Sequence, residues 1–392
     1  MFEMTAKQAD QQTDTVLGNA RLVLSDGMIE RGWLAFANGR IAEFGEGDAP
    51  GASLDVAGDM LMPGLVELHT DHIEAHYVPR PKVYWDPVAA VVSYDGQLAT
   101  SGITTVLDSL RVWREEGAEE VDGQSAVLAD AIARARAANL LRADHFLHLR
   151  CEIPMPSVVA DATLLAGRPD VRLMSLMDHT PGQRQFRDEE KLRTYYRGKK
   201  GGMSDAELDV LFAKRFEYQK TYAAANMREI VALAQRLNVP LASHDDTTEQ
   251  NVADAIRDRV VVAEFPTTFE AAAGLHAAGI SILMGAPNVV RGGSHSGNIA
   301  AVDLAREGFL DILSSDYIPS SLLMGALQLP ERAPAIDLPQ AVRTVTKTPA
   351  EAVGLNDRGE IAVGKRADII RVHVAGNLPV VRSVWREGHR VA

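Results

Sequence analysis

The sequence predicts an α/β fold: a (β/α)8 barrel over residues 62–357, joined to a small β-sandwich domain formed from residues 16–61 and 358–392. Three observations predict it. The long middle of the chain alternates short apolar runs with helical patterns, as parallel βα units do. The two ends share a different texture, in which apolar and β-branched residues alternate with Gly, Asn and Asp turn signals. A length of 392 residues suits one barrel of roughly 250–300 residues with a small second domain.

In chain order, residues 1–15 (MFEMTAKQADQQTDT) read as a loose polar tail without the apolar core of a signal peptide. VLGNARLVLSDGMIERGWLAFANGRIAEF follows as short strands and turns, and GEIAVGKRADIIRVHVAGNLPVVRSVWREGHRVA repeats that character at the other end. Between them eight strands are expected, at LMPGLVELH, GITTVLDSL, DHFLHLRCEI, VRLMSLMDH, VPLASHDD, RVVVAEF, ISILMGAPN and FLDILSSD. Helical segments such as AVLADAIARARAANLL and NMREIVALAQRL lie between most of them. Eight such units favour a closed barrel over an open sheet.

Composition is that of an ordinary globular protein, 46% hydrophobic and 24% charged. A formal net charge of −13 argues against nucleic acid as a partner. It does not exclude a small anionic substrate, because charges beyond roughly 8 Å are screened at physiological salt and local cations decide. No apolar run approaches the ~20 residues of a membrane span. Cys151 is the single cysteine, so no intramolecular disulfide forms. A soluble cytoplasmic protein is the plain reading, with assembly into a homo-oligomer left open.

Catalytic groups of such barrels sit where strands end and βα loops begin. Those ends offer His69 and Asp71 (strand one), Glu152 (three), His179 (four), His244 (five) and Asp316 (eight). Imidazole and carboxylate suit a borderline divalent metal such as zinc. His69 and Asp71 are two apart, which on an extended strand aims both to one face; Ser314 and Asp316 repeat the spacing. A lone His or Asp at a strand end is most often a satisfied polar residue or a helix cap. Five strand ends carrying such groups together point to a metal centre. His72 and His76 are assigned to the following loop, and His276, His373 and His389 to structural or exposed positions.

PGLVELHTD after a β-rich start, GITTV, ASHDD, SSD and the ending GEIAVGKRADII resemble the amidohydrolase superfamily over residues 16–392. The resemblance implies a one- or two-metal centre that activates water, with Asp316 shuttling the proton. The chain departs from that pattern in three places. The usual His-Xaa-His motif is here His69-Thr70-Asp71, the fourth strand lacks the usual bridging lysine, and Glu264 stands near the place of the sixth-strand His. His179 or Glu152 is left to fill the bridging role.

The intervening stretches ELHTDHIEAHYVPRPKVYWD, MDHTPGQRQF, LRTYYRGKKGGMS and MGAPNVVRGGSHSGN resemble one branch of that superfamily. Its members are phosphoanhydride hydrolases of phosphonate breakdown that act on a phosphorylated sugar and release diphosphate. Arg80 and Lys82 after strand one, Arg111 after two, Arg184 after four and Arg291 after seven would supply cations for such an anion. RGGSHSGN adds glycines whose backbone N–H groups can approach phosphate, with Ser294, His295 and Ser296 as further donors. Lys199 is a further cation of the same kind. Two rival readings remain: a C–N hydrolase of the same fold, such as a deacetylase or hydantoinase, and a metal-free structural barrel.

Overall fold

The computed structural model describes residues 15–114, 124–184, 190, 192–194, 197, 203–294 and 297–392. Eight parallel strands follow one another round a barrel in chain order. They are β6 (Leu65–Thr70), β7 (Ile103–Arg111), β8 (Asp144–Glu152), β9 (Val171–Met177), β10 (Leu241–His244), β11 (Val262–Glu264), β12 (Ser281–Gly285) and β13 (Ile312–Ser314). Six fall within segments expected from the sequence, and β6 and β7 each run one residue past theirs, to Thr70 and Arg111. The ring closes where Thr70 bridges Asp316 and the Asp316 N–H donates to the His69 carbonyl at 3.2 Å.

The barrel lumen is filled rather than hollow. Val66, Leu68, Leu107, Leu173, Ala242, Val262, Leu283 and Ile312 contribute from seven of the eight strands, with Phe146 from β8 packed against them. Ala350, Val353 and Leu355 belong to the same cluster, around the helix Lys347–Ala352. The two helices read from the sequence appear at Ser125–Ala137 and Ala224–Leu237. No helix among the described residues is long and apolar enough to cross a membrane.

The chain ends build a second unit from β1 (Thr15–Val23), β2 (Met28–Ala37), β3 (Arg40–Glu46), β4 (Leu54–Asp55), β5 (Met60–Pro63), β14 (Ile369–Ala375), β15 (Leu378–Arg386) and β16 (His389–Arg390). They form one sheet in the order β16-β15-β14-β5-β1-β2-β3, with β4 on β1. Phe36 of β2 and Trp385 of β15 stand four places apart in that order. Their rings nevertheless meet at 6.2 Å, so the sheet folds over on itself and encloses its own core. The strands β5 and β6 on either side of the junction with the barrel are separated by Gly64. There Gly64 N–H donates to Asp368, and a Cβ would stand 2.2 Å from Thr104 Oγ1.

Outside the lumen a buried ion-pair set ties the helix Pro87–Thr100 to the strands. His145 Nδ1 lies 2.8 Å from Asp108, and its Nε2 lies 3.3 Å from Asp95. Burial alone would depress this imidazole, but the two carboxylates outweigh it and hold its pKa up at about 9. Because the folded-state value is raised, the contribution to stability is complete below the unfolded value of about 6.5 and is lost as pH rises through about 9. Urea midpoints of the native chain should therefore fall between about pH 6.5 and 9.5, and those of His145→Gln should fall less. Parallel profiles for the two proteins would show that the pair carries no net stabilisation.

Candidate active site

β8 carries the segment His148-Leu149-Arg150-Cys151-Glu152, and residues two apart on a strand share a face. His148, Arg150 and Glu152 thus continue the inward row begun by Phe146. β6 reaches the same centre differently. Leu68 packs in the lumen, so strict alternation would turn His69 outward, but the register shifts between Glu67 and Thr70. That irregularity brings His69 inward as well, against the His148, His244 and Phe265 rings at 5.1, 5.4 and 5.1 Å.

Three strand ends turn through the left-handed region. Asp245, Phe265 and Asp316 each have φ of 55°. Their N–H groups bond the carbonyls of Glu264, Leu283 and His69 on the next strand round the ring. Each such non-glycine conformation costs roughly 1–2 kcal/mol. The ladder bonds hold that strain in place, at positions where the chain must turn out of the sheet.

Two groups of donors result: His69, His148 and Glu264, and His179, His244 and Asp245. In each, the donor atoms lie within 4.8 Å of one another. The ring tautomers are set from behind. His148 Nδ1 donates to the Leu68 carbonyl at 3.0 Å, which leaves its Nε2 as a lone pair 3.7 Å from Glu264 Oε1. His69 and His244 donate Nδ1 to the two oxygens of Glu264, both at 3.0 Å. His179 donates Nδ1 to Glu152 at 2.5 Å. Burial lowers the pKa of His69 and His244 well below 6.5 and that of His148 to about 4, so these rings are neutral, as a ligand must be. His179 is the exception. Burial lowers it, but Glu152 and then Asp245 outweigh that and raise it. His148 Nε2 and Asp245 Oδ2, one from each group, are buried without a hydrogen-bond partner. Unpartnered buried donor atoms in neutral imidazole and carboxylate fit a divalent metal centre.

Of the residues expected from the sequence, His69 stands in the first group and His179 and His244 in the second, whereas Asp71, Glu152 and Asp316 fall outside both. Asp71 lies beyond the end of β6 and pairs with Arg150 at 2.9 Å and Arg111 at 3.7 Å. Burial would raise its pKa, but Arg150 and then Arg111 lower it. Glu152 spends both oxygens on His179, one on the ring and one on its backbone N–H at 2.7 Å. That is the position of a carboxylate that orients a ligand. Asp316 is half-buried at the closing seam, and desolvation followed by the charge of Asp71 raises its pKa to about 7.

The cations divide in a similar way. Arg184 donates to the His244 carbonyl and to Asp246 (3.2 Å), and Arg111 pairs with Glu74 at 3.0 Å. Arg80 and Lys82 are exposed on the loop after β6. Arg291 is exposed at the far end of the helix Ala286–Arg291, and Ser294 follows it. The expectation that the RGGSHSGN glycines offer free N–H groups does not hold for the first two. Gly292 and Gly293 donate to the Asn288 carbonyl at 3.1 and 2.9 Å and so end the helix. His295, Ser296 and Lys199 lie outside the described residues.

His148, Asp245 and Arg150 were not anticipated. The alternation in HLRCE carried a signal for the first and third, once Glu152 is placed inward. Asp245 carried none, because it reaches the site only through its left-handed backbone.

A lumen-packed (β/α)8 barrel with imidazoles and carboxylates gathered at its strand ends defines a metal-dependent hydrolase scaffold. The amidohydrolase family model matches residues 60–391, and the chain belongs to that family. A relative from Escherichia coli (strain K12), the alpha-D-ribose 1-methylphosphonate 5-triphosphate diphosphatase, is 43% identical over 380 residues, covering 96% of this chain and 100% of the relative. Among solved structures, a mutant N-acetyl-D-glucosamine-6-phosphate deacetylase from Mycobacterium smegmatis superposes with a TM-score of 0.64 at 16% identity, covering 97% of this chain and 100% of that one. The A. niger ochratoxinase gives 0.62 at 14% identity, covering 96% and 95%. At such identities these two speak for the fold alone.

Metal analysis of the purified protein should find about one to two equivalents of a divalent transition metal. His148→Ala and His244→Ala should lower that content. Glu152→Gln should retain the site but weaken its affinity by roughly 10–100-fold, as loss of an orienting group does. Unchanged affinity in Glu152→Gln would show that His179 needs no such support.

Proposed function

We propose that this chain hydrolyses α-D-ribose 1-methylphosphonate 5-triphosphate, releasing diphosphate and leaving the 5-phosphate, in phosphonate breakdown. The observation that carries the reading is the 43% identity to the diphosphatase of E. coli, maintained over the whole of that relative. The charge at the barrel mouth supports it: Arg150, Arg111 and Arg184 gather around the carboxylates there, more cation than a small neutral amide would need. In the reaction a water oxygen bonds to phosphorus, one P–O bond of a phosphoanhydride bridge breaks, and diphosphate leaves.

The residues that would hold a metal are the strand-end set His69, Asp71, Glu152, His179, His244 and Asp316, with His148, Asp245 and Glu264 gathered against them. A divalent ion there supplies Lewis acidity toward water and phosphoryl oxygen. Asp316 accepts the proton of the attacking water. Desolvation and the charge of Asp71 hold its pKa near the working range of a general base. Arg80, Lys82, Arg111, Arg184, Arg291, Ser294 and His295 are the proposed anion-binding set. Zinc and a cytoplasmic setting are the finer parts of the proposal. The imidazole–carboxylate donors support the first, and a lone buried Cys151 accords with the second.

Asp316→Asn should keep KM within a few-fold and lose kcat by a factor of about 10² or more. The native pH profile of kcat/KM should rise with a midpoint at or below about 7, and that limb should vanish in the variant. Turnover near the native rate in Asp316→Asn would assign the base elsewhere. Arg291→Ala should cost roughly ten- to a hundred-fold in kcat/KM on the triphosphate. It should cost nothing on a neutral amide, and equal losses on both would make Arg291 structural.

A further inference from the structure

Glu67 is a buried carboxylate with no part in holding metal, substrate or proton. Val66 and Leu68 on either side of it pack in the lumen, so alternation turns Glu67 out of the barrel, where its side chain is fully enclosed. A carboxylate in such a place is costly unless donors compensate it. Here the donors are backbone groups. His69 N–H reaches Oε1 at 2.7 Å, and Ser315 N–H reaches Oε2 at 2.6 Å. The first stands two residues on, in β6 itself, and the second lies 248 residues away, just past the end of β13.

This carboxylate spans the closing seam of the barrel. Neighbouring strands elsewhere in the ring are joined by parallel ladders. β6 and β13 stand at the two ends of that sheet and, among the described residues, are paired only by the bridge Thr70–Asp316. Lower in the seam their donors turn elsewhere: Val66 N–H bonds the Val345 carbonyl and Leu313 N–H the Thr344 carbonyl. The register of β6 is also broken between Glu67 and Thr70, the irregularity that brings His69 inward. A ring of bonds replaces the missing ladder. Glu67 accepts from His69 and from Ser315, and the next N–H, that of Asp316, donates to the His69 carbonyl at 3.2 Å. The N–H and the carbonyl of His69 are both held in this way. So are the two successive N–H groups that lead into the left-handed turn at Asp316.

We infer that Glu67 is a positioning residue that couples the two halves of the reacting centre, fixing the bulge that presents His69 and the turn that presents Asp316. The inference rests on the diphosphatase reading above for the role of Asp316, and on backbone geometry for the hold on His69. Two N–H donors facing one side chain need two acceptor oxygens. Glutamine offers one, together with an NH2 that opposes the other donor. Aspartate keeps both oxygens on a stem one carbon shorter.

The test uses the full chain loaded with cobalt(II), as native protein, Glu67→Gln, Glu67→Asp, Asp316→Asn and the double variant Glu67→Gln/Asp316→Asn. Thermal melting checks the folding of each. At saturating metal, Glu67→Gln should lose kcat by roughly ten- to a hundred-fold on the sugar triphosphate with KM within a few-fold, the cost of misplacing a reacting group by about 1 Å. Its metal affinity should fall roughly ten-fold. Its cobalt absorption bands should differ from those of the native protein, since the His69 ring is no longer held at its native angle. In the Asp316→Asn background the same substitution should cost less than about three-fold in kcat, because a base that is gone cannot be misplaced. The loss of metal affinity should persist there. Glu67→Asp should recover part of each loss.

A native cobalt spectrum and a kcat within a few-fold of native in folded Glu67→Gln would overturn the proposal. So would equal kcat losses with and without Asp316, which would make Glu67 a support of the fold alone. If Glu67→Gln does not fold, Glu67→Asp carries the same comparisons. Native protein that releases no diphosphate would instead overturn the functional reading, and the cobalt spectra and metal affinities would still decide whether Glu67 holds His69.

Discussion

The buried carboxylate of Glu264 is the interaction on which the site depends. One oxygen accepts from His69 on the first barrel strand and the other from His244 on the fifth, both at 3.0 Å. A single side chain at the end of the sixth strand thereby fixes two ring orientations and two tautomers. Each ring is left with its Nε2 lone pair available on the other side. Phe265, the next residue, closes over both rings at 5.1 and 5.2 Å, so the backbone turn after Glu264 serves the same end. Without the carboxylate, two buried Nδ1 donors would lose their partner, a penalty of about 1–3 kcal/mol each.

Such a cluster is costly to build, and the costs are legible. Burial raises Asp245 and Asp316 to about 7, and neighbouring carboxylates add to the rise. Arg150, Arg184 and Arg111 offset part of that charge, and a bound cation would offset more. The left-handed turns at Asp245, Phe265 and Asp316 add backbone strain at the same rim. The apolar lumen beneath, from Val66 to Ile312, is the rigid base that holds these positions.

Much of the fold was legible. Hydrophobic periodicity is local, so all eight barrel strands and the sandwich strands at both ends could be read segment by segment. His69, His179 and His244 were found because they stand where barrel strands end and their loops begin, the place where such barrels gather chemistry. Asp71 and Glu152 were read as ligands because their type and spacing suit one, but spacing did not reveal that Asp71 would also meet Arg150 and Glu152 the ring of His179.

The sequence by itself determined the barrel, its terminal sheet and the strand ends at which chemistry would gather, because those follow from alternation along a single strand. Only the tertiary structure decided which groups share the centre. The bulge in β6 turned His69 inward, and left-handed turns delivered Asp245 and Asp316. The register between β7 and β8 set Arg111 beside Arg150, and Asp71 met that arginine from a third strand's end. Each of these is a contact between segments distant in sequence, fixed by closure of the ring, and no local pattern encodes it.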